Sequence, residues 1–240
     1  MLVLNWNANE MLEYLGTYFP RSFAESYSIF RRFIRSNPKF LDLSNISIFD
    51  FGCGCGGELV GMILAMKEFY PNIHQINIKA LDGNIHALRL LEAIVDKLSS
   101  EVGIDINLNP IPIVIDDFYD LSVVNSVLSD TFDCIITFKA ICEFVTKQQF
   151  EEKNPYGYIA DALTSKLNKK GVLCIADITS FSDVSKEWLC SMMDNGLAQS
   201  KLSVIASNIG YNEKFMVSHS HKQEDYSKLA WRILSPRRII

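Results

Sequence analysis

The sequence predicts an α/β fold: a doubly wound, mostly parallel, seven-stranded sheet with an N-terminal helical extension. Strand-like apolar segments alternate with helix-like segments five times between residues 46 and 193. The first strand leads directly into a glycine-rich turn, and two late strand-like segments follow one another without a helix between them. This alternation is typical of a parallel sheet covered by helices, and the late pair indicates an antiparallel hairpin at the sheet edge.

The chain divides into an N-terminal helical cap, residues 1–45, and one main domain, residues 46–240. The cap carries apolar residues at helical spacing over residues 10–15 and 22–34. Pro20 is predicted to separate two helices, because proline lacks the N–H that a helix interior needs. Pro38 is predicted to end the second helix.

Hydrophobic periodicity places the elements of the main domain. The predicted strands are residues 46–51, 76–82, 111–115, 132–138, 171–176, 214–218 and 229–234. The predicted helices are residues 58–69, 84–98, 156–167 and 188–193. Pro112 indicates that the third strand lies at a sheet edge or that this residue begins a strand.

Composition and charge narrow the functional classes. The 240 residues are 48% hydrophobic and carry a net charge of −5, which is typical of a globular protein and does not favour nucleic acid as a partner. No apolar run reaches the ~20 residues of a membrane-spanning helix, so we expect no membrane partner. Six cysteines without a C-x-x-C pair predict reduced thiols, a cytoplasmic location and no metal site.

The glycine-rich turn is the strongest indication of a binding site. Gly52, Gly54 and Gly56 lack a Cβ, so the turn can adopt positive φ and a ligand can lie against bare backbone. The helix that follows offers unpaired N–H groups and the positive end of its dipole. This arrangement is typical of sites for nucleotide-like or carboxylate-bearing ligands.

The glycines fit two ligand classes, and the neighbouring acids favour one of them. With Gly57 they match the G-x-G-x-x-G pattern of dinucleotide sites, and without it the G-x-G-x-G pattern of S-adenosylmethionine sites. Asp50, two residues before the turn, would repel a pyrophosphate but tolerates the ammonium of a methionine moiety. Asp82 ends the second strand and suits ribose hydroxyls in either class.

A third group of candidate residues follows the predicted third strand. Asp116 and Asp117 could accept a hydrogen bond from an adenine amino group, and Phe118 could stack on the ring. A second strand-end acid followed by an aromatic residue favours S-adenosylmethionine over a dinucleotide.

On these motifs the chain resembles class I S-adenosylmethionine-dependent methyltransferases over roughly residues 46–235. The resemblance rests on residues 49–56, 81–82, 116–118, 132–138 and 171–175, and on the late pair of strands. It implies a Rossmann-like fold and S-adenosyl-L-methionine as the cofactor. The residues expected to bind that cofactor are Asp50, Gly52, Cys53, Gly54, Gly56, Asp82, Gly83, Asp116, Asp117, Phe118 and Phe138.

A narrower resemblance concerns residues 14–23 and 138–144. These segments are similar to the methyltransferase-like proteins associated with the mitochondrial and bacterial small ribosomal subunit. That family also carries a cysteine cluster for an iron–sulfur centre, which is not found in this sequence. The resemblance concerns ancestry, and RNA or the ribosome stays a partner that the charge does not favour.

The segment after the fourth strand is expected to border the transferred methyl group. It carries Lys139 and Glu143, which lie four residues apart and would share one face of a helix. We predict that they orient the acceptor or remove its proton, although a surface ion pair would use the same residues.

Three functions remain open at this point. The first is a methyltransferase whose acceptor is a small molecule, a protein or an RNA. The second is a catalytically inactive binding or assembly protein with the same fold. The third, a nicotinamide-dependent oxidoreductase, is disfavoured by Asp50, by the late strand pair and by the absence of a Tyr-x-x-x-Lys pair.

Overall fold

The computed structural model describes residues 6–38, 44–179, 181–182, 187–208 and 213–236. Within these ranges the helices are α1 (Ala8–Ser36), α2 (Gly57–Phe69), α3 (Ile85–Val102), α4 (Ser122–Val127), α5 (Ile141–Phe144), α6 (Lys147–Glu152), α7 (Pro155–Thr164) and α8 (Leu189–Gln199). The strands are β1 (Asn45–Phe51), β2 (Gln75–Asp82), β3 (Asp105–Pro112), β4 (Phe132–Phe138), β5 (Leu167–Ile178), β6 (Phe181–Ser182), β7 (Glu187–Trp188), β8 (Leu202–Ser207), β9 (Glu213–His219) and β10 (Lys222–Pro236).

The described residues fall into two compact units. The glycine-turn unit lies within Val3–Val114 and Lys214–Ser227, and the strand-four unit lies within Ile115–Glu213 and Lys228–Ile240. In the glycine-turn unit β3, β2 and β1 pair in parallel, in that order. In the strand-four unit β4 and β5 are parallel, and β10 pairs antiparallel with both β5 and β8. The mostly parallel α/β class predicted from the sequence is therefore confirmed.

Most predicted strands are found, but the third was misplaced. β3 spans Asp105–Pro112 and not residues 111–115, and β8 was not predicted at all. β3 alternates between exposed and partly exposed residues until Ile111, because it lies at the open edge of the three parallel strands. A strand with so little burial does not carry the apolar pattern by which strands are recognised.

The prediction of two helices separated by Pro20 was wrong, because α1 continues through this residue for 29 residues. Proline cannot donate to the carbonyl four residues earlier, which is that of Gly16. The backbone N–H of Ser220, in the turn between β9 and β10, donates to this Gly16 oxygen at 2.9 Å. The hairpin therefore satisfies the carbonyl that the proline leaves open, and the helix does not break.

The second half of α1 is fixed by close packing on α2. Ser26 lies against Gly61 and donates from its hydroxyl to the Glu58 carbonyl at 2.7 Å. A Cβ built on Gly61 would lie 2.5 Å from the Phe23 oxygen and 2.8 Å from the Tyr27 nitrogen, so the two helix backbones approach where glycine leaves room.

We expect Gly61→Ala to lower the free energy of unfolding by about 2 kcal/mol, because its methyl group would meet rigid backbone on the facing helix. Urea denaturation measures this difference. Gly103→Ala is the matched control. A Cβ at residue 103 meets nothing within 4 Å, so only the φ of +65° disfavours alanine there. An equal loss in both variants would show that helix packing is not the cause.

Candidate functional site

The glycine-rich turn has the backbone conformation expected of it. Gly52, Gly54 and Gly56 have φ values of 77°, 48° and 75°, in the left-handed region that favours glycine. Asp82, at the end of β2, accepts the Gly54 N–H at 2.8 Å and the Asn84 N–H at 2.8 Å. Its carboxylate therefore joins the turn to the start of α3 and keeps lone pairs for further donors.

Asp50 is a buried carboxylate whose two oxygens have no hydrogen-bond partner among the described residues. Its exposed fraction is 0%. Burial holds the pKa of Asp50 well above its usual range, and the nearby carboxylates of Glu58 and Asp82 add to this shift. Three acids close together with one of them unpaired form an environment that a cationic group would stabilise.

The first half of α1 covers the glycine-rich turn. The hydroxyl of Tyr14 lies 3.1 Å from the position that a Cβ on Gly54 would occupy. The Asn84 side chain donates to the carbonyl of Trp6 at 3.1 Å, and Met11 packs with Cys55 in one apolar cluster. A ligand that lies against the Gly54 backbone on this face must take the place of the Tyr14 ring.

The other residues predicted at the turn lie within the same unit. Cys53 is 1% exposed and burial raises the pKa of its thiol well above the usual range. Gly83 lies in the bend between β2 and α3 and is partly exposed. The structure thus brings together Asp50, Gly52, Cys53, Gly54, Gly56, Asp82 and Gly83.

Three of the other predicted site residues lie at the end of β4 or just after it, in the strand-four unit. Phe138 ends β4 and is 4% exposed. Lys139 adopts a φ of 57°, unusual for a residue with a side chain, and its N–H donates to the Ala176 oxygen at 2.7 Å. The helical face expected for Lys139 and Glu143 is not formed, because α5 begins only at Ile141 and the left-handed residue lies before it.

The segment after β4 is held by Asp177, a buried residue that the sequence analysis missed. One Asp177 oxygen accepts the Cys142 N–H at 3.1 Å and the Tyr156 hydroxyl at 3.0 Å, and the other accepts the Ile178 N–H at 2.8 Å. Burial raises the pKa of Asp177, and these hydrogen bonds oppose the rise. The sequence did indicate this residue, because Asp177 follows the apolar segment 171–176 just as Asp82 follows the second strand's apolar residues.

Asp116, Asp117 and Phe118 do not follow a strand directly, since β3 ends at Pro112. Both acids are exposed, and Asp117 accepts the Tyr119 N–H at 2.9 Å and the Gln149 side chain at 3.0 Å. The ring of Phe118 is 1% exposed and contacts Tyr119. Their role toward adenine stays a prediction.

No group of three or more His, Cys, Asp or Glu side chains in the described ranges is arranged to hold a metal ion. In the same part of the chain, no helix is both long and apolar enough to cross a bilayer. The six cysteines, all of which are described, are free thiols.

Solved structures similar to this chain share its fold. A proposed class I S-adenosylmethionine-dependent methyltransferase from Listeria monocytogenes superposes with a TM-score of 0.55 at 9% identity, covering 100% of this chain and 72% of that one. The trans-methyltransferase CalH, in complex with SAH, gives 0.53 at 9% identity, covering 94% and 62%. A proposed RNA methyltransferase from Pyrococcus horikoshii gives 0.50 at 11% identity, covering 89% and 82%.

No family model matches the sequence, and no curated protein matches it. The structural likeness establishes the fold, which is that of class I S-adenosylmethionine-dependent methyltransferases, as the resemblance in the sequence implied.

Proposed function

We propose that this protein binds S-adenosylmethionine at the glycine-rich turn and transfers its methyl group to an acceptor. The observation that carries the proposal is Asp50, a fully buried carboxylate without a hydrogen-bond partner among the described residues. It lies beside a turn whose glycines have the positive φ that exposes bare backbone. A ligand that brings both a positive charge and a ribose suits this carboxylate and Asp82 together.

The proposed ligand fits these residues by its charge and by its hydrogen-bonding groups. When bound, S-adenosylmethionine supplies an electrophilic methyl group on a sulfonium. Asp50 would offset the positive charge of the methionine moiety, and Asp82 would accept from the ribose hydroxyls while holding Gly54 in place. Cys53 and Gly83 would border the ligand. Asp116, Asp117 and Phe118 are proposed for the adenine end, and Phe138 is proposed to border the methyl group.

Lys139 and Glu143 are proposed to orient the acceptor or to take up its proton. The left-handed conformation of Lys139 supports a special role for this position, because such strain often occurs where a side chain must be directed. Asp177 would maintain this segment through the Cys142 N–H.

The acceptor is a small molecule, a protein or an RNA, and the net charge of −5 does not favour RNA. A cytoplasmic location and the division into a cap, residues 1–45, and a cofactor-binding domain, residues 46–240, are part of the same proposal.

Parallel calorimetric titrations with S-adenosylmethionine, S-adenosylhomocysteine and NAD test the proposed function. We expect micromolar binding of the first two ligands and none of NAD. Binding without release of S-adenosylhomocysteine across a panel of acceptors would favour the alternative, a catalytically inactive binding or assembly protein. Binding of NAD alone would contradict the proposal.

The raised pKa of Asp50 predicts how stability depends on pH and whether ligand binding releases a proton. Because its pKa in the folded protein is raised, the wild-type free energy of unfolding should fall as pH rises above about 4, the usual value for aspartate. Asp50→Asn should lose this part of the pH dependence. Titration of S-adenosylmethionine into the wild type should release a proton, because a cation stabilises the carboxylate.

Proton release is measured by repeating the calorimetry in buffers of different ionisation enthalpy. Asp50→Asn should bind more weakly and release no proton from this site. A wild-type binding enthalpy that is the same in every buffer would contradict the assignment of the cation to Asp50.

A further inference from the structure

The two halves of α1 are held very differently. In this fully described helix, Met11 is the only buried residue before Ser22, whereas Ser22, Glu25, Ser26, Ile29, Phe30, Phe33 and Ile34 are buried after it. The second half also forms hydrogen bonds to α2. The Ser26 hydroxyl donates to the Glu58 carbonyl, and Tyr27 and Arg31 both donate to the Glu68 carboxylate. Although Met11 packs in an apolar cluster with Cys55, the first half buries fewer residues than the second and is therefore the part of α1 that can leave its place at the lower cost.

A weak point in the helix lies where these halves meet. The hydrogen bond from residue 20 to the Gly16 carbonyl is missing because residue 20 is proline. Residues up to Gly16 are still joined to one another by helical hydrogen bonds, so a bend at Pro20 would move them as one body. A proline within a helix is a usual place for such a bend.

The hairpin between β9 and β10 fastens the first half of α1 at this weak point. The Ser220 N–H donates to Gly16 O at 2.9 Å, and the hydroxyls of Ser220 and Thr17 are 3.3 Å apart. His221 lies 3.7 Å from Glu13, in an exposed pair. Just beyond the bend, Arg21 forms a 2.7 Å ion pair with Asp225 of the same hairpin.

The first half of α1 also covers the glycine-rich turn. Tyr14 contacts Gly54 on its open face, and Asp50, Cys53 and Cys55 are each at most 1% exposed. The Asn84 side chain, which caps α3, reaches back to the Trp6 carbonyl. The residues named in these contacts all lie within the glycine-turn unit.

We propose that residues Trp6–Gly16 form a lid over the glycine-rich turn. The lid opens by a bend at Pro20 to admit S-adenosylmethionine, and the Ser220 N–H is its latch. This inference rests on the proposed function for the identity of the ligand, but the opening of the lid is a property of the free protein. Binding then requires the Gly16–Ser220 hydrogen bond to break, so the lid sets the rate of cofactor entry.

A reversible cross-link tests the lid. A Cβ built on Gly16 lies 3.2 Å from the Cβ of Ser220, close to the ~3.5–4.5 Å spacing of a disulfide. In the double variant Gly16→Cys, Ser220→Cys the oxidised form should bind S-adenosylhomocysteine at least about tenfold more slowly than the reduced form. Stopped-flow fluorescence measures the association rate, and the single variant Ser220→Cys, oxidised in parallel, controls for the native thiols.

Hydrogen exchange tests the opening without any ligand. Amides of residues 9–16 should exchange faster than those of residues 29–34 in the reduced double variant, and oxidation should slow the first group only. Pro20→Ala, which restores the donor to the Gly16 carbonyl, should slow the same amides in the otherwise wild-type chain.

The two proposals fail in different ways. If oxidation changes neither the exchange of residues 9–16 nor the association rate, the lid is overturned while cofactor binding stands. If the wild type binds neither S-adenosylmethionine nor S-adenosylhomocysteine, the proposed function fails, and suppressed exchange in the oxidised variant would still support a lid.

Discussion

Asp82→Ala is expected to weaken the binding of S-adenosylhomocysteine by about 2–3 kcal/mol, a rise in Kd of roughly 30- to 150-fold. The carboxylate has two roles in the proposed site. It accepts the Gly54 and Asn84 N–H groups, which shape the turn, and its remaining lone pairs suit two ribose hydroxyls. Calorimetric titration of the folded variant measures the change.

Two further variants separate these roles. Asp82→Asn keeps an oxygen for one N–H, so we expect a smaller loss of affinity than in the alanine variant. Asp105→Ala removes an exposed carboxylate from the start of β3 and should leave the affinity unchanged. Wild-type affinity in a folded Asp82→Ala protein would show that another acid holds the ribose.

Asp177→Ala is expected to lower the free energy of unfolding by about 3 kcal/mol, because it leaves one buried and two part-buried donors without their acceptor. These donors are the Tyr156 hydroxyl and the N–H groups of Cys142 and Ile178. Urea denaturation followed by circular dichroism measures the loss. Hydrogen exchange of residues 139–145 should increase at the same time, because the Cys142 N–H loses the carboxylate that holds this segment.

Tyr156→Phe is the matched comparison for Asp177. It removes one donor and leaves the carboxylate with its two N–H partners, so we expect a loss of only about 1 kcal/mol. A loss of similar size in both variants would mean that the tyrosine and not the carboxylate organises the cluster.

Several features of the fold and site were predictable because they depend on residues close in sequence. A glycine at every second position after an apolar strand permits positive φ, and Gly52, Gly54 and Gly56 all adopt it. β1, β2, β4 and β5 lie where their apolar residues predict, since β1, β4 and most of β5 are buried runs and β2 alternates buried with more exposed residues. The late pair β9 and β10 was also predicted, but β10 begins at Lys222 and not at residue 229, so the expected polar connection is mostly strand.

Other features could not be predicted because they depend on contacts between distant segments. β3 is too exposed to show an apolar pattern, so its position was predicted too late in the chain. This error made Asp116 and Asp117 look like strand-end acids, whereas they lie in the following loop. Asp177 gains its partners only when the chain brings Cys142 and Tyr156 beside it.

By itself the sequence determined the α/β class, the glycine-rich turn and the acids at the ends of β1 and β2, because these follow from local backbone preference and periodicity. Only the tertiary structure decided that α1 continues through Pro20, since a donor at Ser220 satisfies the carbonyl of Gly16. It also decided that Tyr14 covers Gly54 and that Asp50 is buried without a hydrogen-bond partner among the described residues. Both results depend on which surfaces meet, and a local pattern carries no information about that.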